Sequence, residues 1–278
     1  MKDIRVRRHR RRPPPKESVV FRGADVWEDI TRRKGMADKY RGAFQKQIVI
    51  MKSDPRAPGK RAIVKSADMM FVRHESSPQA EVMAYNIDQL LGWDLVPPTA
   101  GRMIPRDPKD LAKFDGLKPT WDVTIQEWVP NSETVQSVAN RSDEENIGVF
   151  RHNKDRMMKL TLFDFITGNK DRHRGNILVE RRTGKIWAID NGLAFPSETE
   201  FWPAWWTQYY FLDGENIRDI PENLLADLRN LEEGDLRAAV APAERKEVID
   251  GVVARWKLLL KRKKFPTRDG WTDYFRAA

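Results

Sequence analysis

Asp171, Asn176 and Asp190 are three oxygen-bearing side chains in one short stretch, Gly168-Asn169-Lys170-Asp171-Arg172-His173-Arg174-Gly175-Asn176 and then Ile189-Asp190-Asn191-Gly192. Asp171 and Asn176 sit at the two ends of a polar loop. Asp190 ends the second of two short strands predicted to follow that loop, so the hairpin returns it to the other two. A carboxylate can orient and deprotonate an acceptor hydroxyl, while an amide oxygen and a second carboxylate are hard ligands suited to Mg2+. The chemistry such a set could perform is phosphoryl transfer from ATP. The competing explanation is plainer: Asp171-Arg172 as a surface ion pair and Asn191-Gly192 as an ordinary turn.

These residues need elements to hold them. Met158, Leu162, Phe165 and Ile166 recur at helical spacing and Gly168 closes the pattern, so a helix delivers the chain into the loop. Ile177–Glu180 and Lys185–Asp190 flank Arg181-Arg182-Thr183-Gly184, a four-residue connection that predicts a β-hairpin. Upstream, Gln47–Met51, Arg61–Lys65, Met69–Val72 and Val123–Val129 read as strands, punctuated by Asp54-Pro55 and Pro58-Gly59. Ser77-Pro78 opens a helix whose stripe is Met83, Ile87, Leu90 and Leu91, and Gly92 ends it. Downstream, Leu224–Leu228 and Ile249–Leu260 are helical, the latter closing on Lys261-Arg262-Lys263-Lys264, four cations suited to a helix C-terminus. The chain is thus sheet-rich up to Pro130 and helix-rich after it.

Composition narrows the classes. The 278 residues contain no cysteine, which removes disulfides, thiol nucleophiles and thiolate metal sites, and suits a reducing, cytoplasmic setting. No apolar run approaches the roughly 20 residues a bilayer crossing needs, so no transmembrane segment is expected. The net charge is +9, yet residues 1–16 alone carry eight Lys/Arg and one Asp, a net of +7. That segment reads as a disordered basic tail able to contact a polyanion, or simply as a solubilising terminus. Phe201–Phe211 is rich in aromatics and is expected to fill core, the alternative being a membrane-interface or acceptor platform.

The loop motif with Ala188-Ile189-Asp190-Asn191-Gly192-Leu193-Ala194-Phe195-Pro196 resembles the phosphatidylinositol 3- and 4-kinase-like superfamily, and the run around Asp190 is especially similar to type II phosphatidylinositol 4-kinases. The loop also resembles actin-fragmin kinase, HipA-type kinases and secretory-pathway kinases. The resemblance spans about residues 60–196. It implies an α+β, two-lobed protein-kinase-like fold: the basic tail 1–16, a small sheet-rich N-lobe over 17–130 and a mostly helical C-lobe over 131–278.

It also implies roles. Asp171 becomes the acceptor-orienting base, and His173 a hydrogen-bond donor to the transferring phosphate or to Asp190. Asn176 and Asp190 become the ligands of Mg2+, or of Mn2+ in its place. Lys65, with Lys52 as the competing cation, holds the α- and β-phosphates, and Glu81 is its ion-pair partner. Glu127 and Val129 supply main-chain contacts to adenine. The acceptor expected is a protein hydroxyl, including the protein's own; an inositol lipid is the alternative, and a catalytically silent binding module that uses the basic tail is a third. No Gly-x-Gly-x-x-Gly is present, no Ala-Pro-Glu follows Asp190, and the cysteine cluster that anchors type II lipid kinases is missing.

Overall fold

The computed structural model describes residues 27–29, 45–51, 61–66, 78–105, 120–198 and 217–265. The basic tail, the expected strand Met69–Val72, Ser77, Lys52 and the aromatic run 201–211 lie outside the described residues.

Five strands form one antiparallel sheet: β1 (Trp27–Asp29), β2 (Gln45–Met51), β3 (Arg61–Ser66), β4 (Thr99–Pro105) and β5 (Thr120–Glu127), in the order β1-β2-β3-β5-β4. β3 is therefore interior, with Lys65 opposite Lys46 on one side and Thr124 on the other. Because directly opposed residues share a face, Ile63, Lys65, Thr124 and Gln126 look the same way. The polar members of this face, Lys65, Thr124 and Gln126, are all buried. A central strand that presents a buried lysine must supply its counter-charge from another element.

That element is α1 (Pro78–Leu91). Proline occupies its first position, where no intrahelical amide bond is lost. Ala80, Met83, Ala84, Ile87 and Leu91 form its buried stripe, and Gly92 stops it at φ +66°, donating its N–H to the Asp88 carbonyl at 2.9 Å. The Asp88 carboxylate then receives the amides of Leu95 and Val96, each at 2.9 Å, and turns the chain toward β4. Two further bonds fasten this end of α1 to the helical half: Asn86 Nδ2 donates to the Ala239 carbonyl at 3.2 Å and Trp93 Nε1 to the Asp227 carboxylate at 2.8 Å.

The second half begins with β6 (Ser132–Thr134), α2 (Val135–Ala139), α3 (Asp143–His152) and α4 (Lys154–Thr167), followed by β7 (Ile177–Glu180) and β8 (Ile186–Ala188). β6, β7 and β8 make a three-stranded antiparallel sheet, with the β7–β8 turn closing through Gly184 at φ +70°. β6 and α3 had no apolar periodicity to reveal them. A capping signal was present for α3, since Ser142 Oγ accepts from the Glu145 amide at 3.2 Å, the spacing of a Ser-x-x-Glu box.

Helices α5 (Glu222–Arg229), α6 (Glu233–Val240) and α7 (Lys246–Arg262) complete the fold. The periodic stripe expected on α4 is too narrow: Met157, Leu160 and Phe163 are buried as fully as Leu162, Phe165 and Ile166. α4 is enclosed on most sides, which makes it the post from which the loop carrying Asp171 and Asn176 departs. One continuous apolar core joins α1 to α4, α5, α6 and α7. Among the described residues no helix is long and apolar enough to cross a membrane.

Candidate active site

The loop is shaped by backbone demands that the sequence meets residue by residue. α4 ends at Gly168 in the left-handed region, φ +66°, and a Cβ there would lie 2.6 Å from Pro196 Cδ. Only glycine permits both the turn and that approach. The Asn169 side-chain oxygen accepts from the Asp171 amide at 2.9 Å. Asn176 Nδ2 donates to the Asp171 carbonyl at 2.8 Å and to its carboxylate at 3.3 Å, closing the loop on itself. The Gly175 amide donates to His173 Nδ1 at 3.0 Å. A ring nitrogen that accepts is unprotonated, so in neutral His173 the proton sits on Nε2, which lies 3.9 Å from the Asp171 carboxylate.

The hairpin brings Asp190 to this loop. The Ile189 amide donates to the Asn176 carbonyl at 3.1 Å, and Asp190 itself adopts φ +58°, an unfavourable backbone for a non-glycine residue that turns it out of the strand direction. Asp190 lies 3.6 Å from Lys65 Nζ, and Lys65 in turn lies 2.5 Å from Glu81. Burial alone would push the Lys65 ammonium down; Glu81 and Asp190 outweigh it and hold its pKa above the ordinary value. Exposure rises across the set: the side chains of Lys65 and Glu81 are 6% and 3% exposed, Asp190 27%, Asp171 41%. The pair that would hold phosphates is thus deep, and the group that would meet an acceptor is open.

Arg172 belongs to this centre, which removes the competing explanation of a surface pair with Asp171. It is buried, and its Nε donates to the Asp164 carboxylate at 3.1 Å. Its remaining nitrogens reach the carbonyls of Asn176 at 2.8 Å and Ile189 at 2.5 Å, and the side-chain oxygen of Asn191. One fork therefore ties α4, the loop and the hairpin together. No local pattern announced it, since its acceptors come from three separate segments. A second buried arginine, Arg255 of α7, donates to the carbonyls of Ile166 and Glu198, each at 3.0 Å, bracing the segment after Asp190. Burial lowers its pKa to about 9, which leaves it charged at neutral pH.

Glu127 and Val129 stand further along, where β5 leaves the sheet. The Glu127 amide is already donated to the Pro98 carbonyl at 2.8 Å, and the Val129 carbonyl accepts from Ser132 Oγ at 2.8 Å. Both of these main-chain groups are therefore committed within the fold.

The donor set fits a nucleotide-borne divalent ion. Asn176 spends its nitrogen on Asp171, so its oxygen would be the ligating end, and Asp190 would supply a carboxylate. Among the described residues no group of three or more His, Cys, Asp or Glu could hold a metal unaided. A site with one carboxylate and one amide suits Mg2+ or Mn2+ delivered with phosphates, which complete its shell.

Residues 155–230, the span from α4 through the loop and hairpin into α5, match the family model described as phosphatidylinositol 3- and 4-kinase. Among solved structures, that of hydra Fam20 with sugar has a TM-score of 0.53 at 14% identity, over 86% of this chain and 84% of that one. The Golgi casein kinase with Mn/ADP bound has a TM-score of 0.49 at 16% identity, over 85% and 71%. The Helicobacter pylori proinflammatory kinase CtkA has a TM-score of 0.46 at 12% identity, over 85% and 93%. No curated protein sequence matches the chain. Fold and site define a two-lobed, kinase-like α+β protein, a kinase by class. Within that class, residues 155–230 are similar to the phosphatidylinositol 3- and 4-kinase family.

Proposed function

We propose that the protein transfers the γ-phosphoryl group of ATP, held with Mg2+, to a protein hydroxyl, its own included. The observation that carries this is the convergence of Lys65, Glu81 and Asp190 from three distant segments, with Lys65 2.5 Å from Glu81 and 3.6 Å from Asp190. A purely structural use of this trio would not need Asp190 partly open, on a hairpin bonded to the loop that carries the still more open Asp171.

In this reading Lys65 binds the α- and β-phosphates and Glu81 holds it in place. Asp190 and Asn176 hold the ion, whose chemistry is to neutralise charge on the β- and γ-phosphates. Asp171 orients the acceptor hydroxyl and takes its proton. His173, with Nε2 carrying hydrogen, donates to the transferring phosphate. The Val129 amide meets adenine. The retained Asp171-Arg172-His173 and the absent cysteine cluster favour a protein over a lipid acceptor. The cysteine-free composition suits a cytoplasmic setting, and the basic tail supplies salt-sensitive contact with a polyanion.

A second reading, an inositol-lipid acceptor, is favoured by the family match over residues 155–230. Intact-mass measurement after incubation with Mg2+-ATP, run alone and with phosphatidylinositol vesicles, tests both. Phosphate added to the protein supports the first reading, and phosphate found only in lipid replaces it with the second. Adenylate added to the protein, or no turnover at all, overturns the proposal.

A further inference from the structure

The Lys65–Glu81 pair sits on the sheet and α1, whereas Asp171 and Asn176 sit on a loop from α4. Phosphoryl transfer needs the two held at fixed separation, because a misplacement of about 1 Å can cost roughly a hundredfold in rate. One side chain touches both. Asn191, fully buried just after Asp190, accepts at Oδ1 from Arg172 and donates from Nδ2 to the second carboxylate oxygen of Glu81 at 3.4 Å. The same Oδ1 accepts from Asn169 Nδ2 at 3.5 Å, and Asn169 is the residue whose side-chain oxygen fixes the Asp171 backbone.

The direction of this amide is settled by its neighbours. Arg172 has only donors, so oxygen must face it; the Glu81 carboxylate has only acceptors, so nitrogen must face that. Both constraints demand the same rotamer. No other residue of this size carries a donor and an acceptor side by side: leucine would orphan the Arg172 nitrogen, and aspartate would set two carboxylates against each other. We infer that Asn191 is a positioning residue, its amide being the hydrogen-bonded link that sets the Lys65–Glu81 pair against the Arg172-braced catalytic loop. The role of the link in transfer rests on the phosphotransferase reading above; the link itself is a structural claim.

Chemistry suggests a swap that tests it. Asn191→Asp keeps the acceptor for Arg172 but repels Glu81, and Glu81→Gln keeps the acceptor for Lys65 but turns an amide nitrogen toward Asn191, donor against donor. Each single change breaks the link. Together they restore it with polarity reversed, since the new amide donates to the new carboxylate and the charge of the cluster is unchanged. Two measurements on the full chain serve: the thermal unfolding midpoint without nucleotide, and Mg2+-ATP turnover. Each single variant is expected to lower kcat/KM for ATP about ten- to a hundredfold, the usual cost of losing a hydrogen bond to a charged group. KM for the acceptor should not move. The double variant should regain most of the lost midpoint and be less impaired in turnover than the two single losses combined, short of wild type because Lys65 still lacks its carboxylate partner. A double variant as impaired as the two losses combined, in midpoint and in turnover, overturns the link. A wild-type protein that turns over no ATP would instead sink the functional reading, while the midpoints still decide the link.

Discussion

Arg172 donates to the Asp164 carboxylate from inside the protein, with only 1% of its side chain exposed, and so joins the last turns of α4 to the loop that α4 delivers. A buried charge stays only if it is matched, and here it is matched by one carboxylate, two carbonyls and one amide oxygen. Arg172→Lys keeps the charge but loses the fork. It is expected to cost on the order of 3 kcal/mol in denaturant-measured stability and to depress turnover. Wild-type stability in this variant would show that the guanidinium braces nothing.

Asp190→Ala removes a proposed metal ligand without removing core volume. ATP turnover should fall at least ~100-fold while the melting curve stays cooperative. Activity that survives the change would remove Asp190 from the metal site.

Lys65→Ala should raise the KM for ATP and lower kcat, because the pair with Glu81 holds phosphates where they react. Lys52→Ala is the control, being the other lysine on a comparable apolar run. If Lys52→Ala rather than Lys65→Ala impaired ATP use, the phosphate contact would have to be moved to Lys52.

Gly168→Ala places a methyl 2.6 Å from Pro196 Cδ on a backbone at φ +66°. The strained conformation and the clash together should cost about 2 kcal/mol or more and shift the segment after Asp190. Calorimetric midpoints compare the two proteins, and equal midpoints would mean that Pro196 does not pack there.

Asp88 predicts a pH dependence. Burial pushes its carboxyl up from 3.8 to about 6, against the amides of Val96 and Leu95 and the charge of Arg156, while Asp94 adds to the rise. The fold therefore favours the neutral carboxyl. Its stabilising contribution is full below about pH 4 and is lost as pH rises through about 6, a change on the order of 3 kcal/mol. Asp88→Asn has no proton to lose, so its stability relative to wild type should climb between pH 4 and pH 7. A constant difference across that range would mean that Asp88 ionises as easily folded as unfolded.

Much of this architecture is legible along the chain because it obeys local rules. Strands at 45–51, 61–66 and 120–127, the helix opened by Pro78 and stopped by Gly92, and the hairpin after the loop follow from period, proline and glycine. The spacing of Asp171, Asn176 and Asp190 is readable for the same reason, since a loop and a tight hairpin carry them over few residues. Glu127 shows where such reading stops. As a strand end it reads as a source of main-chain contacts to adenine, and only the paired strands show that Pro98 takes its amide.

The amino-acid order alone nominated the side chains that could bind phosphate, metal and acceptor, because residue type and short-range backbone preference are properties of neighbouring positions. Whether Lys65 met Glu81, whether Arg172 faced solvent or Asp164, and what Asn191 joined were settled only by packing. Asn191 and Glu81 are 110 positions apart, and a buried polar group takes its partners from whatever segments the core presses around it.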